Sequence, residues 1–264
     1  MFSTHRRLRA KFHFPNLVLV GGARLAAVGA VAAVALAGCS SHSSTPTTSK
    51  APSTPTSTTP TSSTTSAPPS SAAPRVREDR LSSILLTVDE GNAIMGSTDM
   101  QDFGGPTTLD TNLFQVSNPD CLGAAHIVQP PVYADSGYTA VKFDVLREQG
   151  QRYTHSVEQG VTTFPAADQA LSFVQASAAK WKACSGQTVS DGLNGTSLQW
   201  TYANFAGDPP KISLIMSRHN ARGWACQRAL SAVWNLVVDV KACDFKIGNE
   251  GVVAADKIAA KATQ

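Results

Sequence analysis

The sequence predicts an α+β fold: an antiparallel β-sheet flanked by helices and held by two disulfides, set behind a signal peptide and a disordered Ser/Thr/Pro linker. Three observations carry this. Stretches such as Tyr138–Leu146 alternate apolar and polar residues at the period of a half-buried strand. Two other stretches, after Pro165 and after Asn249, place apolar residues at helical spacing. Once the cysteine that ends the N-terminal apolar run is set aside, four cysteines remain in the part that can fold.

The chain begins with a basic segment. Residues 1–38 hold Arg6, Arg7, Arg9, Lys11 and Arg24 and no acidic residue. The apolar run Leu25–Ala37 is 13 residues long, short of the roughly 20 that a spanning helix needs. An uncleaved anchor reaching back through Phe14–Val20 would put Arg24 inside the bilayer, at a cost of roughly 3 kcal/mol. The run ends in Leu36-Ala37-Gly38-Cys39, the pattern of a bacterial lipobox. The expectation is a signal peptide over 1–38, cleavage before Cys39 and lipid on that thiol, so that the membrane is one partner and the rest is extracytoplasmic.

From Ser40 to Pro74, 29 of 35 residues are Ser, Thr or Pro. Such a composition cannot bury a core, so 39–76 reads as a disordered spacer of roughly 30–35 Å as a coil. It suits O-glycosylation as well as it suits a plain tether. The folded domain is placed at 77–264. From Arg75 onward there are 16 basic and 19 acidic residues, a balance of −3 against +3 for the whole chain. The basic excess therefore belongs to the leader, and the domain lacks the concentrated basic face that nucleic-acid binding needs.

Within the domain, Thr87 and Glu90 have the spacing of a capping box, predicting a short helix to Met95 that stops at Gly96. Residues 97–120 read as loop with one short strand at 113–116. Asn118-Pro119-Asp120-Cys121 is a turn. Strands follow at Tyr138–Leu146 and His155–Phe164. Pro165 is predicted to open a helix to Ala183, with Asp168 in its first turn and a stripe of Ala167, Ala170, Leu171, Val174, Ala178 and Trp181. Strands are expected at Gln187–Val189, Leu198–Tyr202 and Ile212–Arg218, with turns at Gly192–Gly195 and Gly207–Pro210. A last helix over Glu250–Thr263 buries Val252, Ala255, Ile258, Ala259 and Ala262.

The stretch from Trp224 to Cys243 reads as a β-hairpin. Four cysteines allow three connectivities, and the hairpin chooses among them. With Trp234-Asn235 as a two-residue turn, Val233 pairs with Leu236 and Cys226 falls opposite Cys243, at a site where Cα atoms stand about 4.5 Å apart. That is within disulfide reach. Cys121 and Cys184 are left to pair with each other.

No arrangement of side chains announces catalysis. Gly-x-Ser-x-Gly is absent, and a Ser/His/Asp set is neither supported nor excluded by so Ser-rich a chain. His126, His155 and His219 stand apart and none has the spacing of a metal ligand set, so no metal and no cofactor is expected. Asp89 and Glu90 are better explained by the helix start than as a catalytic pair. Asn194-Gly-Thr196 fits a glycosylation pattern but reads as a turn. Trp200, Tyr202, Trp224 and Trp234 are the candidates for lining an apolar ligand cleft, with ordinary sheet core as their other reading.

Six stretches together resemble a known family: Leu85–Gly96, Asn118–Gly123, Val132–Val141, Phe164–Ala170, Trp181–Gly186 and Trp224–Leu230. They are similar to the extracellular sensor domain of mycobacterial PknH-type receptor kinases and of the lipoproteins that share it. The resemblance covers residues 80–263. It implies an antiparallel sheet with helices, a large cleft taken as a ligand site, and the same two disulfides. Nothing in this sequence matches the kinase domain or spanning helix of those receptors. The expectation is therefore a lipid-anchored module that binds a small or lipidic ligand or a cell-wall component. The alternatives are a module that docks an envelope protein and, third, an envelope hydrolase.

Overall fold

The computed structural model describes residues 73–112, 114–193 and 195–264. The expected signal peptide over 1–38, Cys39 and most of the expected linker lie outside the described residues, as do Leu113 of the expected short strand and Asn194 of the glycosylation pattern.

In chain order the elements are α1 (Leu81–Ile84), α2 (Val88–Met95), β1 (Gln101–Asp102), β2 (Gln115–Val116), α3 (Leu122–Ala125), α4 (Pro130–Tyr133), β3 (Ala140–Arg147), β4 (His155–Thr163), α5 (Ala167–Cys184), β5 (Thr188–Leu193), β6 (Thr196–Asp208), β7 (Lys211–Arg218), β8 (Ala225–Val233), β9 (Leu236–Asp244) and α6 (Glu250–Ala262). The strands form one sheet of nine in the order β1-β3-β4-β9-β8-β7-β6-β5-β2. Every neighbouring pair is antiparallel.

Helices cover both faces of this sheet, which explains why β9 is buried along nearly its whole length. Successive side chains of a strand point to opposite faces. Val238, Val240 and Ala242 pack under α6 with Ile84, Leu85 and Ile258. Val237 and Cys243 pack with Val174, Trp181 and Tyr202 under α5. The capping box forms: Thr87 accepts from the Glu90 amide at 3.3 Å, and Glu90 accepts from the Thr87 amide at 2.9 Å. Gly96 ends that helix at φ 68°, where only glycine is relaxed.

The hairpin register is the one a two-residue turn requires. Val233 pairs with Leu236 and Cys226 with Cys243. Their disulfide spans Cα atoms 4.0 Å apart. The second disulfide joins Cys121 to Cys184 across 5.7 Å and fastens the turn before α3 to the end of α5. Asn235 is more than a turn residue. It is buried, accepts from the Val76 amide at 2.7 Å, and donates to the carbonyls of Val76 and Phe164.

Three expectations are corrected. Pro165 does not open α5, which starts two residues later at Ala167. Phe164 is held to the hairpin turn through both its amide and its carbonyl, so the chain cannot coil until it has left that contact. The buried stripe of α5 is Ala170, Val174, Ser177, Trp181 and Cys184, while Ala167 is exposed. Strand β6 continues past Tyr202 to Asp208 by means of an irregularity between Ala203 and Ala206.

The expected loop over 97–120 has an architectural role. β1 pairs at one edge of the sheet and β2 at the other, so the chain between them crosses the whole sheet. It crosses on the α5 side, where Leu109 packs into the core and the Asp110 amide donates to the Val128 carbonyl. Among the described residues, no helix is long and apolar enough to cross a membrane.

Candidate ligand site

Two groups of charged side chains occupy this sheet, and they differ in kind. The first is interior. Arg228 of β8 and Asp239 of β9 are buried on the α5 side at 0% and 3% exposure, with Nη2 2.6 Å from Oδ1. Arg228 also donates to the carbonyls of Val240 and Gly123, at 2.5 and 3.0 Å. Asp239 accepts from the Val128 amide at 3.1 Å and from the Tyr133 hydroxyl at 3.3 Å. The pair thus pins the α3–α4 segment onto the sheet. Gly160 lies beneath that segment, since a Cβ there would come within 2.6 Å of Val128.

Beside this pin, Lys241 lies 3.3 Å from Glu158. Burial pushes the Glu158 carboxyl up, but the ammonium of Lys241, by its charge and its hydrogen bond, and the Arg228 guanidinium outweigh it and hold it below the usual carboxylate range. His126 places Nε2 2.9 Å from both oxygens of Asp191 and stacks on Phe114 at 3.6 Å. Burial lowers its pKa, with the Asp191 contact opposing only in part, so the ring is neutral and Nε2–H is the donor.

The other histidines are engaged elsewhere. Nδ1 of His155 meets the Glu148 carboxylate at 2.5 Å and the Thr154 hydroxyl at 3.0 Å, so acid and hydroxyl share one ring nitrogen. His219 meets Thr201 at 2.7 Å on the surface. Among the described residues, no histidine links a hydroxyl through one nitrogen to a hydrogen-bonded carboxylate through the other, and no group of three metal-ligating side chains forms.

The four aromatic candidates do not converge. Trp200 and Tyr202 are sheet core under α5, and burial raises the Tyr202 phenol. Trp234 sits in the hairpin turn at φ 50° and packs toward the α6 side. Trp224, by contrast, lines a cavity.

That cavity, of about 410 Å³, opens at the end of the sheet where the β3–β4 loop, the β7–β8 loop and the chain after β9 meet. Each loop has a local reason for its shape. In the first, the Glu148 carboxylate accepts from the amides of Thr154 and His155 at 3.0 and 2.8 Å and from the Thr154 hydroxyl at 3.1 Å. Burial works against ionisation, but these donors and His155 outweigh it and hold Glu148 at about 2. Arg147 closes the same loop by donating to the carbonyls of Glu148 and Gly150. In the second loop, Asn220, Arg222 and Gly223 take left-handed φ values of 54°, 57° and 94°. Such values are uncommon for residues with a Cβ and cluster at functional positions.

The result is a wall of rings bordered by cations. The Trp224 ring stands 5.8 Å from Tyr153 and 5.2 Å from Phe245, both at 70°, so the three form a corner. Arg152, Arg218 and Arg222 line the same space, and no acidic residue does. Among the described residues none of the three joins an ion pair. Glu148 and Asp244, at the ends of the flanking strands, face His155 at 2.5 and 4.0 Å. Sequence reasoning found Trp224 and missed the rest. The available signal was the recurrence of Arg152-Tyr153, Arg222-Gly223-Trp224 and Phe245-Lys246 at strand ends.

Comparison with known proteins matches residues 76–261 to a family model described as PknH-like extracellular domain. The serine/threonine-protein kinase PknH of Mycobacterium tuberculosis (strain ATCC 25618 / H37Rv) is 46% identical over 186 residues, which is 70% of this chain and 30% of the kinase. The same kinase of Mycobacterium bovis (strain ATCC BAA-935 / AF2122/97) is 46% identical over 186 residues, 70% of this chain and 31% of the kinase. The crystal structure of the extracellular domain of PknH from Mycobacterium tuberculosis matches with a TM-score of 0.69 at 46% identity, covering 71% of this chain and 96% of that chain. The match thus spans about a third of the length of the kinases.

Proposed function

Since the chain belongs to the family of PknH-like extracellular domains, we propose that it is an extracytoplasmic recognition domain that binds an anionic envelope component or small ligand in the cavity at the end of its sheet. The single observation that carries this is the set of three arginines without acidic partners around the corner formed by Tyr153, Trp224 and Phe245. The cavity falls within the roughly 300–1,000 Å³ of ligand pockets. Guanidinium groups offer paired donors to carboxylate or phosphate, and three of one sign around a concavity attract an anion. The test is calorimetric titration of the full chain with galacturonate and with inorganic phosphate. Arg218→Ala/Arg222→Ala is expected to weaken binding at least tenfold. Unchanged binding in that variant, or no binding by the native chain, contradicts the reading.

We further propose that the domain is held to the membrane by lipid on Cys39, after loss of residues 1–38, with 39–76 as spacer. The support is the Leu36-Ala37-Gly38-Cys39 pattern between an apolar run and a Ser/Thr/Pro tract. Labelling with radioactive palmitate should mark the native protein and leave Cys39→Ala unlabelled; label on the variant refutes the assignment.

A further inference from the structure

The rings do not stop at the cavity. Phe103, just beyond β1, lies with its ring 3.9 Å from the Arg147 guanidinium, whose other neighbour is the Tyr153 ring at 5.0 Å. From there the series runs on to Trp224 and Phe245. The two ends are the open ones, Phe103 at 46% and Phe245 at 41% exposure. Arg147 donates through Nη1 to two loop carbonyls, which fixes its guanidinium between the Phe103 and Tyr153 rings. The steps from Phe103 through Arg147 and Tyr153 to Trp224 and Phe245 are 3.9, 5.0, 5.8 and 5.2 Å, so the series of four rings extends beyond the cavity to Phe103, which does not line it. The free cations lie beside the inner part of this path, at Arg152, Arg218 and Arg222.

We propose that this path seats an anionic glycan chain, with sugar rings stacked on successive aromatic faces and carboxylate or phosphate groups on the arginines. The proposal rests on the recognition reading above and names its ligand class. Two features favour a chain of sugars. Flat C–H faces of sugar rings match aromatic faces, and a repeating unit matches a repeated ring. Gln151 and Asn220, which also line the cavity, supply neutral donors and acceptors for hydroxyls. A lipid surface is disfavoured by shape, because the arginines surround a concavity in which Tyr153 and Trp224 are half-buried and do not project.

The experiment compares four probes on the full chain: galacturonate, tetragalacturonate, the neutral maltotetraose, and phosphatidylglycerol vesicles. Tetragalacturonate is expected to bind at least tenfold more tightly than galacturonate, with maltotetraose weaker than either. Phe103→Ala should remove the gain from chain length and leave the monomer unchanged. Trp224→Ala should weaken both. Equal affinity for monomer and tetramer, or a Phe103→Ala variant that keeps the gain, overturns the glycan proposal and leaves an anion site in place. Vesicle binding that depends on Phe103 and exceeds tetragalacturonate binding also overturns it. Failure of every anion to bind overturns the recognition reading with it.

Discussion

Arginine is used in two opposite ways in this domain. Arg228 is fully buried, meets a carboxylate at 2.6 Å and carbonyls on two segments, and presents nothing to solvent. Arg152, Arg218 and Arg222 are exposed, unpaired and set among rings. A buried charge must be paired because desolvation costs several kcal/mol, and once paired it acts as a fastener. An exposed charge has no such requirement, and three of one sign around a concavity attract an ion of the opposite sign. The interior group therefore holds the fold, and the sheet-end group is the one proposed to recognise a ligand.

This contrast sets the order of expected effects. Arg228→Ala leaves Asp239 buried and uncompensated and should cost about 3–5 kcal/mol in chemical denaturation. Arg228→Met with Asp239→Leu should recover most of that loss. If Arg228→Ala is neutral, the pin is not what holds the α3–α4 segment. Loss of a disulfide comes next. Cys121→Ala/Cys184→Ala opens a loop with a sequence separation of 63 and should cost about 4 kcal/mol. The separation of 17 at Cys226–Cys243 corresponds to about 3 kcal/mol.

A smaller effect concerns Asp144 of β3. Burial, and then the neighbouring Asp102 carboxyl, raise it to about 6 from an ordinary 3.8. A carboxyl raised on folding contributes stability below its ordinary value that is lost as pH rises through about 6. Asp144→Asn should thus stabilise the domain at pH 7 by about 1–2 kcal/mol and do nothing at pH 3.5. A stabilisation equal at both pH values would refute the assignment. The smallest effect belongs to the sheet end, where Arg218→Ala/Arg222→Ala should alter stability by under about 0.5 kcal/mol.

How legible these features were depends on how local their causes are. The capping box at Thr87, the turn at Trp234-Asn235 and the opposed Cys226 and Cys243 follow from spacings within one element, and the sequence shows them directly. The strap between β1 and β2 has no period to read, because its bonds go to Val145, Phe143 and Val128, all well along the chain. Arg228 and Asp239 sit in strands that otherwise read as plain core, and only the pairing of β8 with β9 makes them partners. The cavity is assembled from three loops remote in sequence, so Trp224 could be suspected from its type while its neighbours could not.

The most direct test is the ligand-induced shift in melting temperature with galacturonate, measured side by side on the native chain, Arg228→Met/Asp239→Leu and Arg218→Ala/Arg222→Ala. A bound ligand raises the melting temperature by mass action. The interior variant should have an altered baseline and keep the shift, and the sheet-end variant should keep the baseline and lose it. A shift that survives in Arg218→Ala/Arg222→Ala, or that disappears only in the interior variant, would contradict the division between fastening and recognition.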